Sequence, residues 1–237
     1  MRYDRRLINR RCDLGIALLN GSDHIFYSSP CESVIRYPEK LSCPSDGKMQ
    51  LPDSIDVLQT LDNDLETAWR VMGRFCMLIN LAIQTQRLIR PEVIYETMIS
   101  VMYRLLDMKF SPRSIDEAIR QGLLAFCYHV FLQWQDIKPP YQYFPSTYKD
   151  GILSLEFGGG SSPQLMLWLS MIGAVSVFNL DDEPWLLRLL RTCAGKCEIR
   201  TWDELQGILK SFMWIPLLNE QPGKHVYDLL QLEQENQ

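Results

Sequence analysis

An all-α fold, an irregular bundle of about eight helices, is predicted by three features of this 237-residue chain. Apolar residues recur at spacings of three and four over several long segments, which is the period of an amphipathic helix. Proline, serine and threonine stand where these segments begin, as they often do at helix starts. No run alternates between apolar and polar residues between hairpin turns, so strands are not expected.

The first 60 residues are predicted to form an N-terminal helix followed by an irregular strap. Residues 4–20 form the helix, and Gly21 tolerates the left-handed backbone that ends many helices. Residues 21–53 contain four prolines and show little helical periodicity, so we expect them to cross the surface as an extended strap. The remaining residues, 61–237, are predicted to form the helical domain.

Three successive helices are predicted between residues 61 and 134. Pro91 suits the first turn of the second helix, because that position needs no backbone N–H. Ser114 and Glu117 are predicted to form a capping box, in which each side chain bonds a backbone amide. The third helix is apolar on nearly every side, so we expect it to be central. The apolar stripe of the first helix comprises Leu61, Leu65, Trp69, Met72, Cys76, Ile79 and Ile83.

Residues 136–162 are predicted to form a long connector that contains a short helix near residues 148–156. The second very apolar helix then starts at Pro163 and reaches Phe178. Its apolar run, residues 165–178, is interrupted by Ser and Gly and is shorter than the ~20 residues that a membrane-spanning helix needs. We therefore expect a second central helix in the core and no membrane association.

Three shorter helices are predicted to complete the chain. The first starts at Pro184, where the preceding acidic residues complement the helix dipole. The second starts at a capping box formed by Thr201 and Glu204 and ends at Pro216. The last is predicted to run from about Gly223 to Leu232.

Composition and motifs argue against several classes of function. The net charge is -5, whereas proteins that bind nucleic acid usually carry excess Lys and Arg. The odd number of cysteines, seven, and their irregular spacing favour the reducing environment of the nucleus or cytoplasm. No phosphate-binding glycine motif and no zinc-ligand spacing is present, so we expect no metal and no cofactor. No catalytic residue can be assigned.

A binding pocket, if the chain forms one, is predicted between the two most apolar helices, residues 119–134 and 163–178. A histidine within such a helix either anchors a ligand or is held by the core. Aromatic residues on these helices are more often core residues than pocket walls. The candidate ligand-binding residues are Phe126, His129, Trp134, Trp168, Met171, Phe178 and Trp214.

Several stretches of the second half follow one another in a distinctive order. They are Ile119–Phe126, Phe131–Trp134, Leu165–Phe178, Trp185–Leu187, Thr201–Leu205, Ile208–Ile215 and Gln221–Lys224. In this order and spacing they resemble the C-terminal half of the fungal-specific transcription factor domain, the middle homology region of zinc-cluster transcription factors. These residues are core and capping residues, so the resemblance implies an all-helical regulatory domain and no catalytic group.

The chain departs from that family in two respects. Its cysteines do not have the spacing of the family's six-cysteine zinc cluster, so we expect no DNA-binding module of this kind. It also begins well inside the family domain, since only Arg10–Leu14, Ile25–Tyr27 and Leu41–Pro44 resemble its middle portion. A domain shortened in this way would expose apolar surface, which a partner, a second copy or the strap would cover.

The resemblance implies a transcription regulator that acts through protein or small-molecule binding, without its own DNA-binding domain. The expected partners are a zinc-cluster transcription factor or a second copy of the chain, and an apolar small molecule. An enzyme that cyclises or isomerises an apolar metabolite is the alternative, because positioning alone accelerates a reaction without a recognisable motif. A remnant without a role of its own is the third interpretation.

Overall fold

The computed structural model describes residues 5–21, 37–38, 61–132, 143–158 and 161–232. These residues form nine α-helices and no strand, which confirms the all-α prediction. A π-helical turn, Tyr128–Leu132, continues the fourth helix, and a short 3-10 turn, Leu180–Asp182, precedes the seventh. The helices are α1 Arg5–Asn20, α2 Asn63–Gln84, α3 Pro91–Asp107, α4 Ile115–Cys127, α5 Tyr143–Gly158, α6 Pro163–Ser176, α7 Pro184–Lys196, α8 Trp202–Ser211 and α9 Pro216–Leu232.

The predicted capping residues explain where several helices begin. Thr201 Oγ1 accepts a hydrogen bond from the Glu204 amide at 3.2 Å, and Glu204 accepts from the Thr201 amide at 3.0 Å, which completes the predicted box. The Glu204 carboxylate also accepts from the Arg200 amide at 2.7 Å, and this bond, together with that from the Thr201 amide, favours the charged form and lowers the pKa of Glu204. Pro91, Pro163 and Pro184 each stand in the first turn of a helix, as predicted.

The capping box predicted at the start of α4 forms only in part. Ser114 Oγ accepts from the Glu117 amide at 3.1 Å, but the Glu117 carboxylate does not bond back to Ser114. It accepts instead from Arg120, at 2.6 and 2.7 Å, and from Gln121 Nε2, at 2.7 Å. Arg120 also donates to the backbone carbonyl of Leu105 at 2.9 Å, so the carboxylate helps to join α4 to α3.

Three predicted boundaries were wrong. Most of the predicted connector, residues 136–162, is the 16-residue helix α5, which is longer than the predicted short helix. Pro216 does not end α8, which stops at Ser211. It begins α9, which was predicted to start near Gly223. Burial explains the first difference, because an apolar stripe against the core stabilises a helix whose own residues are weak helix formers. That stripe comprises Phe144, Tyr148, Ile152 and Leu155, all of them buried.

Helix α6 is the centre of the fold. Every residue from Leu165 to Ala174 is buried, and α6 contacts α4, α5, α7, α8 and α9. Helix α4 is likewise buried from Gln121 to Cys127. The prediction of two very apolar central helices is therefore confirmed for residues 121–127 and 165–174.

The structure describes little of the predicted strap and does not test the predicted division into two parts. Within the predicted strap, residues 21–53, only Gly21, Tyr37 and Pro38 are described. The guanidinium of Arg104 on α3 lies 4.5 Å from the centre of the Tyr37 ring. The division between residues 1–60 and 61–237 stays a prediction. Among the described helices, none combines the length and the apolar character needed to cross a membrane.

Candidate functional site

At the interface between α4 and α6, where a pocket was predicted, three of the seven candidate side chains are fully buried. Phe126, Trp168 and Met171 have no exposed surface. Trp168 is held in place by three contacts. Its indole N–H donates to the Met213 carbonyl at 2.9 Å, and its ring packs edge-on against Trp69 and stacks on Phe212. These contacts make Trp168 part of the core between α2, α6 and the end of α8.

The other candidate residues are spread over different parts of the bundle. Phe178 follows α6 and packs edge-on against Trp185 at 5.4 Å, whereas the buried Trp214 lies between α8 and α9. His129 is half-buried in the π-helical turn. Trp134 lies outside the described residues. That these residues bind a ligand stays a prediction.

A buried tyrosine fixes α5 against α6. The hydroxyl of Tyr148 donates to the Leu169 carbonyl at 2.8 Å. Burial raises the pKa of Tyr148 above its ordinary value, so the phenol keeps its proton and remains a donor. Its ring also lies 5.9 Å from the ring of Phe178. The rings of Tyr148, Phe178 and Trp185 therefore form an aromatic cluster at the C-terminal end of α6.

The described cysteines are inert thiols where they are buried. Burial raises the pKa of Cys76 and of Cys127, and for Cys76 the neighbouring Cys127 adds to this shift. Burial, with a smaller contribution from Cys197, raises the pKa of Cys193 to about 11. Within the described ranges, no three His, Cys, Asp or Glu residues gather as metal ligands would.

We expect iodoacetamide at about pH 8 to modify Cys76 and Cys127 at least ~100-fold more slowly than the exposed Cys12, because only an accessible thiolate reacts. Peptide mapping by mass spectrometry measures the three rates in one sample. In concentrated urea the three thiols should react at similar rates. Fast labelling of Cys127 in the folded protein would contradict the buried position of α4.

Four exposed aliphatic residues lie on α2 and at the start of α9, two elements that a side-chain hydrogen bond joins. The side-chain amide of Asn80 on α2 donates to the Trp214 carbonyl at 2.9 Å, which joins these two elements. Beside Asn80, Met77 and Leu81 are each 57% exposed. Three and four residues after Trp214, Leu217 is 72% and Leu218 is 40% exposed. We call these four residues, Met77, Leu81, Leu217 and Leu218, the aliphatic patch.

Basic residues outnumber acidic residues next to the aliphatic patch. Three arginines, Arg74, Arg87 and Arg90, and one acid, Glu92, fall between residues 73 and 92. Both Arg87 and Arg90 are exposed in the turn between α2 and α3. Across the junction, α9 adds the exposed Glu220 and Lys224, whose charges cancel. Arg87 and Arg90 therefore place exposed positive charge in the turn that follows α2, within a chain whose net charge is -5.

Sequence reasoning did not identify the aliphatic patch. The predicted stripe of α2 passes through Met72 and Cys76, which are buried, and Met77 and Leu81 lie beside it on the helix surface. An apolar residue just outside a regular stripe was the available indication. For Leu217 and Leu218 the sequence contained no indication of an exposed apolar surface, because α9 was predicted to start after them.

Comparisons with known proteins identify no relative, since no protein-family model, no curated protein and no solved structure matches the chain.

Proposed function

We propose that this chain is a regulatory domain of the transcription-regulator type that works by binding another protein and does not contact DNA directly. The aliphatic patch carries this proposal. Single exposed apolar residues are common on protein surfaces, but apolar side chains that are grouped across two helices are typical of protein-binding sites. The resemblance to the fungal regulatory domain and the net charge of -5 agree with this role.

The chemistry of the surface selects the kind of partner. Met77, Leu81 and Leu217 offer flexible aliphatic side chains, which suit the apolar face of an amphipathic helix. Arg87 and Arg90 stand in the adjoining turn, so acidic residues along the edge of that helix would be attracted to them. The proposed partner segment is therefore an acidic amphipathic helix, supplied by a DNA-bound regulator such as a zinc-cluster transcription factor.

Burial between α4 and α6 favours binding at the surface over chemistry inside an apolar pocket. The pocket-enzyme alternative placed its pocket between these two helices, with the candidate residues Phe126, His129, Trp134, Trp168, Met171, Phe178 and Trp214. Of these, Phe126, Trp168 and Met171 have no exposed surface. The patch, by contrast, is accessible to a partner without any rearrangement of the core.

Fluorescence anisotropy with a labelled peptide tests the proposed partner. The probe is an amphipathic helical peptide with Leu on one face and Glu on the other. Replacing both Leu81 and Leu217 by Asp should weaken its binding at least about tenfold, because the variant places two carboxylates against an apolar, acidic ligand.

The matched control is Ile16→Asp, since Ile16 on α1 is 57% exposed, as Leu81 is. This variant should bind the peptide as the parent chain does. A second peptide, with Lys in place of Glu, should bind more weakly than the first. Equal binding by the patch variant and by the Ile16 variant would refute the proposed surface.

A reporter assay tests the regulatory role separately. The chain is fused to a heterologous DNA-binding domain in yeast, and transcription from a promoter that carries its site is measured. The fusion should change reporter output relative to the DNA-binding domain alone, and Leu81→Asp with Leu217→Asp should abolish that change. An output that neither the chain nor the patch variant alters would count against transcriptional regulation.

A further inference from the structure

A cleft lies between the first half of α4 and the first half of α5, away from the aliphatic patch in sequence. Its volume is about 520 Å³, within the range of pockets that hold small molecules. The side of α4 contributes Glu117 and Gln121, and the side of α5 contributes the Tyr143 ring and Asp150. Pro112, Ser146 and Thr147 complete its lining.

Gln121 brings a buried acceptor without a partner to this cleft. The residue is only 2% exposed, and its Nε2 donates to Glu117 Oε1 at 2.7 Å. That bond fixes the orientation of the amide, because a carboxylate needs a donor opposite it. Its Oε1 is buried and accepts no hydrogen bond from any described residue. Buried polar atoms nearly always have a partner, so this oxygen is a candidate for a bond to a ligand.

Helix α5 lies beside this oxygen. A Cβ atom built on Gly151 would lie 4.0 Å from Gln121 Oε1, so the small residue there allows the two helices to approach closely at this end of the cleft. The hydroxyl of Thr147 donates to the Tyr143 carbonyl at 2.8 Å, so its oxygen keeps lone pairs that can accept. The polar groups of the cleft are therefore mainly acceptors.

The charges of the cleft leave one carboxylate unbalanced. Glu117 is paired with Arg120 at 2.6 Å, and no Lys or Arg is among the lining residues. Lys149, the neighbour of Asp150 in sequence, is paired with Glu183 at 2.9 Å and also lies over the Trp185 ring. Asp150 is exposed and no described residue neutralises it. The cleft consequently favours a positive charge.

We propose that this cleft binds a small molecule that carries a primary ammonium group on an apolar or aromatic body. The ammonium donates to Gln121 Oε1 and to Asp150, whose charge it balances. The Tyr143 ring and Pro112 contact the apolar body. A primary ammonium suits the site because it supplies three donors and no acceptor. This site is independent of the aliphatic patch, so either can fail without the other.

Ligand-observed NMR with phenethylamine as the probe tests this site. A ligand of this size should bind the parent chain with a Kd of about 1 mM or lower. Its neutral analogue, phenethyl alcohol, should bind at least about tenfold more weakly, because it lacks the charge that Asp150 attracts. Asp150→Asn should reduce the affinity for phenethylamine by a similar factor and leave that for the alcohol unchanged.

Two further variants separate the site from general effects. Gln121→Met keeps the volume of the side chain and removes the acceptor, so it should weaken the amine at least about threefold; its urea midpoint reports whether the fold is intact. Asp181→Asn removes an exposed carboxylate elsewhere and should change nothing. Equal affinities for amine and alcohol, an unaffected Asp150→Asn variant, or no binding at about 20 mM amine would each overturn the proposal.

A lysine derivative tests whether the ammonium group belongs to a free small molecule or to a lysine side chain of another protein. Nα-acetyl-lysine methylamide carries the same group as a side chain of a polypeptide. It should bind more weakly than phenethylamine if the natural ligand is a free aromatic or apolar amine. Tighter binding of the lysine derivative would show that a lysine of another protein occupies the cleft, and the small-molecule proposal would be wrong.

Discussion

Replacing Trp168 by Ala should lower the free energy of unfolding by about 3–5 kcal/mol, the largest loss that we expect from a single substitution. The indole fills the centre of the bundle, 5.3 Å from the ring of Trp69 and 5.9 Å from that of Phe212. Its removal leaves a cavity lined by rigid rings and takes the donor from the Met213 carbonyl. Because domains are stable by only about 5–15 kcal/mol, the variant should be close to unfolding.

Urea denaturation followed by circular dichroism measures this loss of stability. A second variant isolates the contribution of the indole hydrogen bond, and a third serves as the control. Trp168→Phe keeps a ring but leaves the Met213 carbonyl without its donor, which should cost about 1–3 kcal/mol. Trp185→Ala is the control, since Trp185 is only partly buried and contacts Phe178 and Lys149 near the surface. A loss at Trp168 no greater than that at Trp185 would show that α6 is not the centre of the fold.

Gly223→Ala should have the second large effect on the free energy of unfolding. It should lower this free energy, whereas an ordinary Gly→Ala substitution in a helix raises it. Alanine normally stabilises a helix by up to ~1 kcal/mol relative to glycine. Here a Cβ would lie 2.7 and 2.9 Å from two atoms of the Trp214 ring and 3.1 Å from the Trp202 ring. The Trp214 ring is buried and rigid, so it must move as a unit, and we expect a net loss of about 1–3 kcal/mol.

Gly207→Ala provides the matched control for this substitution. Gly207 lies within α8 and is exposed, and a Cβ there would meet no atom within 4 Å. This variant should raise the free energy of unfolding by about 0.5–1 kcal/mol. Urea midpoints of the two variants should therefore move in opposite directions. A stabilised Gly223→Ala protein would contradict the close packing of α9 against Trp214.

Helix positions could be predicted from the sequence where the determinants are local. The stripe through Leu65, Trp69 and Met72 is buried as its period requires, and the Thr201 capping box forms at its predicted place. By contrast, α5 could not be predicted in full, because the side chains that stabilise it, such as Tyr148, bond to residues distant in sequence. The start of α9 was missed because a proline that could end one helix could equally begin the next.

Candidate sites were less predictable than helices, for a related reason. Glu117 and Gln121 stand four residues apart on α4, a spacing visible in the sequence, but nothing local shows that Gln121 Oε1 accepts no hydrogen bond from any residue that the structure describes. Leu81 and Trp69 are both apolar residues of α2, yet one is 57% exposed and the other 1%. Their difference depends on which distant helices cover each face.

The sequence by itself determined that this protein is helical, where most helices begin, and which two of them, α4 and α6, are the most apolar. These properties follow from spacing, capping and helix propensity, which act over a few residues along the chain. Only the tertiary structure decided that Phe126, Trp168 and Met171 are fully buried, and that the residues of the aliphatic patch and the cleft beside Gln121 are open. Burial and unpaired polar atoms depend on contacts between residues far apart in sequence, as the bond from Asn80 to Trp214 shows.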